Sequence, residues 1–261
     1  MKMDEPQVHV EKTSAFQNSG KPVIEISKLQ KSFGSQEVLK NISLKLFEGE
    51  NLVMLGKSGT GKSVIIKCII GLLNGDGGQI KVFGKDITTM DTLEWIDLRE
   101  KIGFLFQSGA LYDSMTVKQN LEFPLRRLKN KYSEEEIVKK VNEVLAHVGL
   151  EHALNKMPSE LSGGMRKRIS LARTIVVDPL IMLYDEPTTG LDPVTSSEIS
   201  ALINEVRIRS KTSSIIITHD IKCATITADR VIMIEDGTVY LEDTVAGIQA
   251  SQDPLVRAFY D

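Results

Sequence analysis

The sequence is poor in several features that would point elsewhere. Only two cysteines occur among 261 residues, Cys68 and Cys223. Their spacing suits neither a disulfide framework nor a metal site, so a reducing compartment and two small buried thiols are expected. Basic residues do not outnumber acidic ones: 32 Lys and Arg stand against 35 Asp and Glu. That balance excludes the cationic footprint of a nucleic-acid binder. Long apolar runs are missing as well. Val64–Leu73 and Leu180–Tyr184 fall far short of the ~20 residues that span a bilayer. No cationic segment followed by an apolar stretch opens the chain, so no export signal is expected. What remains is a hydrophobic content of 41%, enough for the core of one large α/β domain.

Residues 1–21 are polar and aperiodic, and are expected to form a flexible leader without chemistry. From Pro22 onward the pattern changes. Val23–Ile26 and Glu37–Phe47 have strand character, and Leu44 and Leu46 alternate with charged neighbours in the second. Asn51–Leu55 predicts a short buried strand, Lys62–Leu73 a helix and Gln79–Phe83 a further strand after the turn Gly75-Asp76-Gly77-Gly78. Between about 117 and 178 no strand is predicted. There Ser133 and Glu136 form a capping box, followed by an apolar stripe of Ile137, Val138, Val141, Val144, Leu145 and Val148. Gly149 sits at the C-terminal cap position. Strand patterns return at Leu180–Tyr184, Ser214–Thr218 and Val231–Ile234. Buried strands alternating with helices imply an α/β core with a mostly parallel sheet covered on both faces. A helical subdomain at about 108–178 interrupts it, and a tail follows from about 244 to 261.

The sharpest motif is Gly56-Lys57-Ser58-Gly59-Thr60-Gly61-Lys62-Ser63, which satisfies the phosphate-loop pattern between a predicted strand and a predicted helix. Glycines let consecutive N–H groups turn inward on phosphate oxygens, and the helix start adds its positive end. Lys62 is placed to reach the β- and γ-phosphates and the Ser63 hydroxyl to ligate Mg²⁺. At ordinary residue frequencies such an octapeptide arises by accident in roughly one chain of this size per hundred. The flanking elements make a ligand-free glycine turn the poorer reading.

A phosphate-loop site requires a carboxylate at the end of another buried strand to hold the metal. Leu180–Tyr184 ends in Asp185, and Glu186 follows on the opposite side of the strand end, where it would polarise the water attacking the γ-phosphate. The alternative is an acidic pair in a solvated loop, which the apolar strand before it and Pro187 after it disfavour.

Leu161-Ser162-Gly163-Gly164-Met165 resembles the signature sequence of the nucleotide-binding subunits of ABC transporters, a family with a phosphate-loop NTPase core. Ser162, Gly163 and Gly164 at a helix start make a second anion cup. The resemblance implies that this cup serves the opposite subunit, so that two chains sandwich two ATP molecules in an isologous dimer. It also implies further roles. Phe33 matches the aromatic that stacks on adenine, and Gln107 the glutamine that senses Mg²⁺ and links to the helical subdomain. Gly190-Leu191-Asp192 resembles the loop joining the two sites, and His219 matches the histidine at the γ-phosphate. A lone Phe, Gln or His is usually structural, as we read His9, His147 and His152. The ordered set is what points to ATP hydrolysis.

Gln107–Val117, Phe123-Pro124-Leu125-Arg126, Met165-Arg166-Lys167-Arg168 and Ser251–Phe259 resemble one branch of the family, the ATPases of Mla/Mce-type lipid transport systems. That resemblance implies a separate membrane permease docking near Gln107–Thr116, on an apolar floor of Leu111, Tyr112 and Met115. It further implies an Mce-domain lipid-binding protein and a small regulatory subunit in the complex, at the cytoplasmic face of the inner membrane. Ordinary core packing of those three residues is the competing reading, and a solvated helix face competes for Met165–Arg168. An importer ATPase for small polar solutes shares every catalytic motif. A non-transport ABC protein acting on nucleic acid is disfavoured by the acidic balance, the single motif set and the lack of a heptad arm.

Overall fold

The structure, a computed structural model, describes residues 20–128 and 131–260. The leader expected at 1–21 therefore lies almost wholly outside the described residues. An antiparallel sheet opens the fold. Strand β1 (Pro22–Phe33) pairs with β2 (Gln36–Phe47). Next come β3 (Asn51–Leu55) and helix α1 (Lys62–Ile69), then β4 (Gly77–Val82) and β5 (Lys85–Asp86), which complete the first sheet in the order β2-β1-β4-β5. Helix α2 (Thr92–Glu100) leads into β6 (Ile102–Leu105). Three helices follow: α3 (Val117–Arg127), α4 (Glu134–His147) and α5 (Gly163–Ile175). The chain then alternates through β7 (Ile181–Asp185), α6 (Pro193–Ser210), β8 (Ser213–Thr218), α7 (Ile221–Thr227) and β9 (Arg230–Glu235). It closes with β10 (Thr238–Asp243), α8 (Val245–Ala250) and α9 (Pro254–Arg257). The second sheet runs β10-β9-β3-β8-β7-β6. It is parallel from β9 to β6, with β10 antiparallel at its edge.

Period-two alternation divides the apolar residues of this parallel sheet between two cores. Leu52, Met54, Leu183, Ile215, Ile217 and Ile232 face α1 and the antiparallel sheet. Val53, Leu55, Met182, Tyr184, Ile216 and Val231 face the cluster that holds α3, α4 and α5. Strands this apolar read as continuous runs because both faces are covered.

Helix boundaries follow local chemistry. The Ser133–Glu136 capping box is formed, and Gly149 adopts φ +67 just past α4. Val138 does not belong to the buried stripe of that helix; it is 46% exposed, because at 100° per residue it turns away from Ile137 and Val141. Helix α1 stops four residues short of Leu73: Gly71 takes φ +66 where the Trp95 ring presses against it. Helix α2, unforeseen in the sequence, rests on an Asp91–Glu94 capping box. The tail packs on its own domain, with Ile248 and Val256 each 2% exposed in the second core.

The two sheets are tied by one buried cation. Arg230 on β9 is 1% exposed. It donates to Glu50 Oε1 at 2.7 Å and Oε2 at 3.0 Å, to Glu242 Oε1 at 2.5 Å and to the Lys45 carbonyl at 2.6 Å. Removing one member of such a group leaves a buried charge unpaired, at a cost of about 3–5 kcal/mol. Arg230→Ala is therefore expected to lose about that much stability in urea unfolding. A midpoint corresponding to a loss under about 1 kcal/mol would contradict the accounting.

Candidate functional site

The parallel strands end side by side, so the residues after them converge. Leu55 pairs with Thr218 and Met233, Asp185 with Ile217, and Leu105 with Tyr184. Gly56, Glu186, His219 and Gln107 thus follow neighbouring strand ends, the edge at which ligands bind in open α/β sheets. A cavity of about 370 Å³ lies there, lined by Val38, Ser58, Gly59, Gly61, Lys62, Ser63, Val64, Gln107, Glu186, Thr189 and His219.

The phosphate loop is built from its glycines. Gly59 and Gly61 take φ +84 and +96, and a Cβ on Gly61 would meet the Leu39 side chain at 2.6 Å. At Gly56 a Cβ would press on the Ile234 carbonyl at 2.5 Å. Any side chain at those positions would force the loop open. Lys57 and Ser58 are exposed at the tip, and Thr60 Oγ1 donates back to the Lys57 carbonyl at 3.0 Å. Lys62 is 4% exposed, and its Nζ donates to the carbonyls of Gly56 at 2.6 Å and Lys57 at 2.7 Å. Burial holds its pKa below the usual lysine value, opposed by the nearby carboxylates of Glu186, Asp185 and Glu235. The ammonium thus sits inside the loop, held by two of its carbonyls, where an incoming phosphate would meet it.

Ser63 Oγ, in the first turn of α1, donates to Asp185 Oδ1 at the end of β7 at 2.8 Å. Asp185 is 8% exposed. A hydroxyl and a buried carboxylate in contact are hard oxygen donors of the kind Mg²⁺ takes. Among the described residues no cluster of three or more His, Cys, Asp or Glu side chains is placed to hold a metal. That suits an ion drawing most of its ligands from water and substrate phosphates, so the residues present fit Mg²⁺. Gln107, exposed on the same cavity, is in reach of that space.

Glu186 has the most constrained backbone of the site. It adopts φ +51, unusual outside glycine, and its N–H donates to the Ile217 carbonyl at 3.0 Å. Its Oε2 accepts from Thr189 Oγ1 at 3.0 Å and lies 2.9 Å from His219 Nδ1. The sequence placed Glu186 and His219 in one site without indicating that they touch. A carboxylate held this way at a solvent-reached cavity has the chemistry of a general base.

Three predicted elements lie elsewhere in the monomer. Phe33 stands at the β1–β2 turn, 46% exposed, with the Lys31 ammonium 5.5 Å from its ring. Ser162 caps α5 by accepting from Met165 N at 3.3 Å, and Ser162 and Gly163 are exposed. Asp192 caps α6, with Oδ1 accepting from Val194 N and Thr195 N at 3.0 Å each. Hydrogen bonds from Thr195 hold its carboxyl below the usual range. None of them lines the phosphate cavity of the single chain.

On the far side of Gln107, Asn120 is fully buried and organises the loop before α3. It accepts from Tyr112 N at 2.8 Å and donates to the carbonyls of Tyr112, Met115 and Thr116 at 3.0–3.1 Å. Of the expected apolar floor, Tyr112 is 40% exposed and packs edge-on against Phe123 with ring centroids 5.0 Å apart. Met115 is half-buried in an adjoining groove of about 460 Å³, whereas Leu111 packs against the core. Arg166 is exposed but Lys167 is buried, so Met165–Arg168 is not uniformly solvated.

A buried lysine in a glycine-bounded loop, at the carboxyl end of a parallel strand and opposite an acidic strand end, defines a phosphate-loop nucleotide-binding domain. The sequence profile described as ABC transporter matches residues 39–189, and the chain belongs to that family. It is 42% identical over 236 residues to the probable ribonucleotide transport ATP-binding protein mkl of Mycobacterium tuberculosis, covering 90% of this chain and 66% of the relative. The chain therefore spans about two thirds of that relative's length. It is 36% identical over 264 residues to the chloroplastic protein TRIGALACTOSYLDIACYLGLYCEROL 3 of Arabidopsis thaliana, covering 95% of this chain and 76% of that protein. A solved dimeric post-hydrolysis state of the ATP-binding cassette MJ0796, bound to ADP and Pi, superposes with a TM-score of 0.77 at 31% identity. It covers 85% of this chain and 98% of that one. Among the described residues no helix is long and apolar enough to cross a membrane.

Proposed function

We propose that the chain is the ATP-hydrolysing subunit of an ABC transporter that drives lipid transport across a bacterial envelope together with a separate permease. The observation that carries the ATPase reading is the convergence of Lys62, the Ser63–Asp185 pair and the Glu186–His219 pair on one cavity at the strand ends. Lys62 and the loop N–H groups bind and orient the β- and γ-phosphates. Ser63, Asp185 and Gln107 would hold Mg²⁺, which supplies neutralisation of phosphate charge when bound. Glu186 takes the proton of the attacking water, and His219 orients Glu186 and faces the γ-phosphate. Catalysis is then mostly positioning and charge neutralisation.

The other half of each site comes from a second copy. Ser162 and Gly163, exposed, and Gly164, half-buried, stand at the helix start, which supports capping of the partner's γ-phosphate, with Asp192 carrying the link between the two sites. Phe33 stacks on adenine. A dimeric cassette of the same fold supports this arrangement. The permease docks beside Gln107–Thr116, on Tyr112, Met115 and Phe123, placing the subunit at the cytoplasmic face of the inner membrane. The helical subdomain at about 108–178 transmits the motion.

The lipid assignment is supported by the docking segment and by a relative named for a glycerolipid that matches 95% of this chain. The name of the mycobacterial relative favours a small-solute reading instead. Pull-down from native membranes separates the two. The lipid reading expects a permease accompanied by an Mce-domain protein and a small regulatory subunit. A permease with a soluble solute-binding protein would overturn it, and so would recovery bound to nucleic acid.

A further inference from the structure

A lysine ammonium withdrawn from water is costly unless carbonyl dipoles or carboxylates surround it. Lys167 on α5 is 6% exposed, and its Nζ donates to the Gln107 carbonyl at 2.9 Å and to the Glu186 carbonyl at 3.4 Å. Those two carbonyls belong to two loops of the phosphate cavity that are far apart in sequence. Two further residues of the same helix, at i+3 and i+6, lie against the first loop, Ser170 by close packing and Arg173 by a hydrogen bond. Ser170 Oγ lies 2.6 Å from where a Cβ on Gly109 would stand, and the Arg173 guanidinium donates to the Ala110 carbonyl and stacks 4.5 Å from the centroid of the Tyr112 ring. Glu186, meanwhile, holds a left-handed backbone that only surrounding contacts maintain. Its N–H is taken by Ile217, and Lys167 meets its carbonyl.

We propose that Lys167 is a positioning residue, a buried ammonium that clamps the Gln107 and Glu186 carbonyls and so sets where the Glu186 carboxylate points. The proposal rests on the ATPase reading above and assigns it a further part. Because Lys167 stands four residues after Gly163 on the helix that Ser162 caps, the clamp also joins the exposed anion cup to the catalytic carboxylate. Tyr112 is attached to the same helix face through Arg173.

Three forms of the full chain test it: wild type, Lys167→Met, which keeps reach but has no donor, and Lys167→Gln, which keeps a donor without the charge. Misplacement of a catalytic group by about 1 Å costs on the order of 10²-fold. Lys167→Met is expected to lower kcat about 10–100-fold with nucleotide affinity, read by a fluorescent ATP analogue, held within about threefold. Lys167→Gln is expected to recover kcat to within about fivefold of wild type, while amide exchange at residues 186–190 rises because a neutral donor clamps less firmly. A Met variant with kcat within twofold of wild type overturns the proposal, as does one whose affinity falls in step with kcat. Should that variant not fold, exchange in the Gln variant decides: faster exchange supports the clamp and unchanged exchange overturns it. Wild-type turnover separates this proposal from the one beneath it, since an inactive wild-type chain contradicts the ATPase reading itself.

Discussion

Glu186→Gln is expected to reduce ATP turnover by about 10²–10⁴-fold, the usual contribution of a positioned general base. The amide has nearly the shape of the carboxylate and can keep contact with Thr189 Oγ1 and His219 Nδ1, now 3.0 and 2.9 Å from Oε2. It cannot accept the water proton. In the proposed site the phosphates are held by Lys62 and the loop N–H groups, which this change leaves untouched, so nucleotide affinity should stay within a few-fold of wild type. Phosphate release and nucleotide titration on the same preparation check both halves. Turnover within about threefold of wild type would remove Glu186 from the role of base.

Lys62→Ala acts on the other side of the site. In the proposed site the ammonium would supply the fixed positive charge that meets the phosphates, and it satisfies the Gly56 and Lys57 carbonyls from inside the loop. Removing it loses that charge and leaves inward-facing carbonyls turned on an incoming anion. Loss of one such donor or buried charged partner costs about 2–5 kcal/mol. An affinity loss of about 10²–10³-fold for ATP is expected, with turnover falling below detection at millimolar nucleotide. Lys62→Arg should not restore it, because a planar fork does not fit where a compact ammonium lies 2.6 and 2.7 Å from two carbonyls. Unchanged ATP affinity in the Ala variant would refute the phosphate-loop assignment.

What could be read from the sequence was chemistry enforced by the backbone. Gly59 and Gly61 announce a loop because their φ values of +84 and +96 are closed to most side chains. Ser133 and Glu136 announce a helix start because the two side chains satisfy each other's orphan N–H groups. The parallel sheet was visible because strands covered on both faces become unbroken apolar runs. Helix α2 was missed because its weakly amphipathic run Thr92–Glu100 shows little apolar period, and its Asp91 box is preceded by no hydrophobic segment. The end of α1 at Ile69 was missed because it depends on Trp95, distant in sequence, packing over Gly71.

The site divides in the same way. Lys62, Ser63, Gln107, Asp185, Glu186 and His219 were legible as types in order along the chain, and the fold brings them to one cavity, Asp185 through its hydrogen bond with Ser63. The contact between Glu186 and His219 was not legible, nor was the burial of Lys167 in a segment that looks like a solvated basic face. The first arises from the pairing of β7 with β8, and the second from the packing of α5 against the loops that follow β6 and β7. No local pattern encodes that. Ser162, Gly163, Gly164 and Asp192 remain outside the cavity of the single chain, and the account therefore requires a second copy to complete it.

That requirement is also the most direct point of test. Light scattering on the Glu186→Gln chain, with and without ATP and Mg²⁺, reads the mass of the species formed. The account predicts the 29.0 kDa chain without nucleotide and twice that mass at saturating ATP, reverting when ADP replaces ATP. A mass of one chain at saturating ATP, with nucleotide shown to be bound, would contradict it.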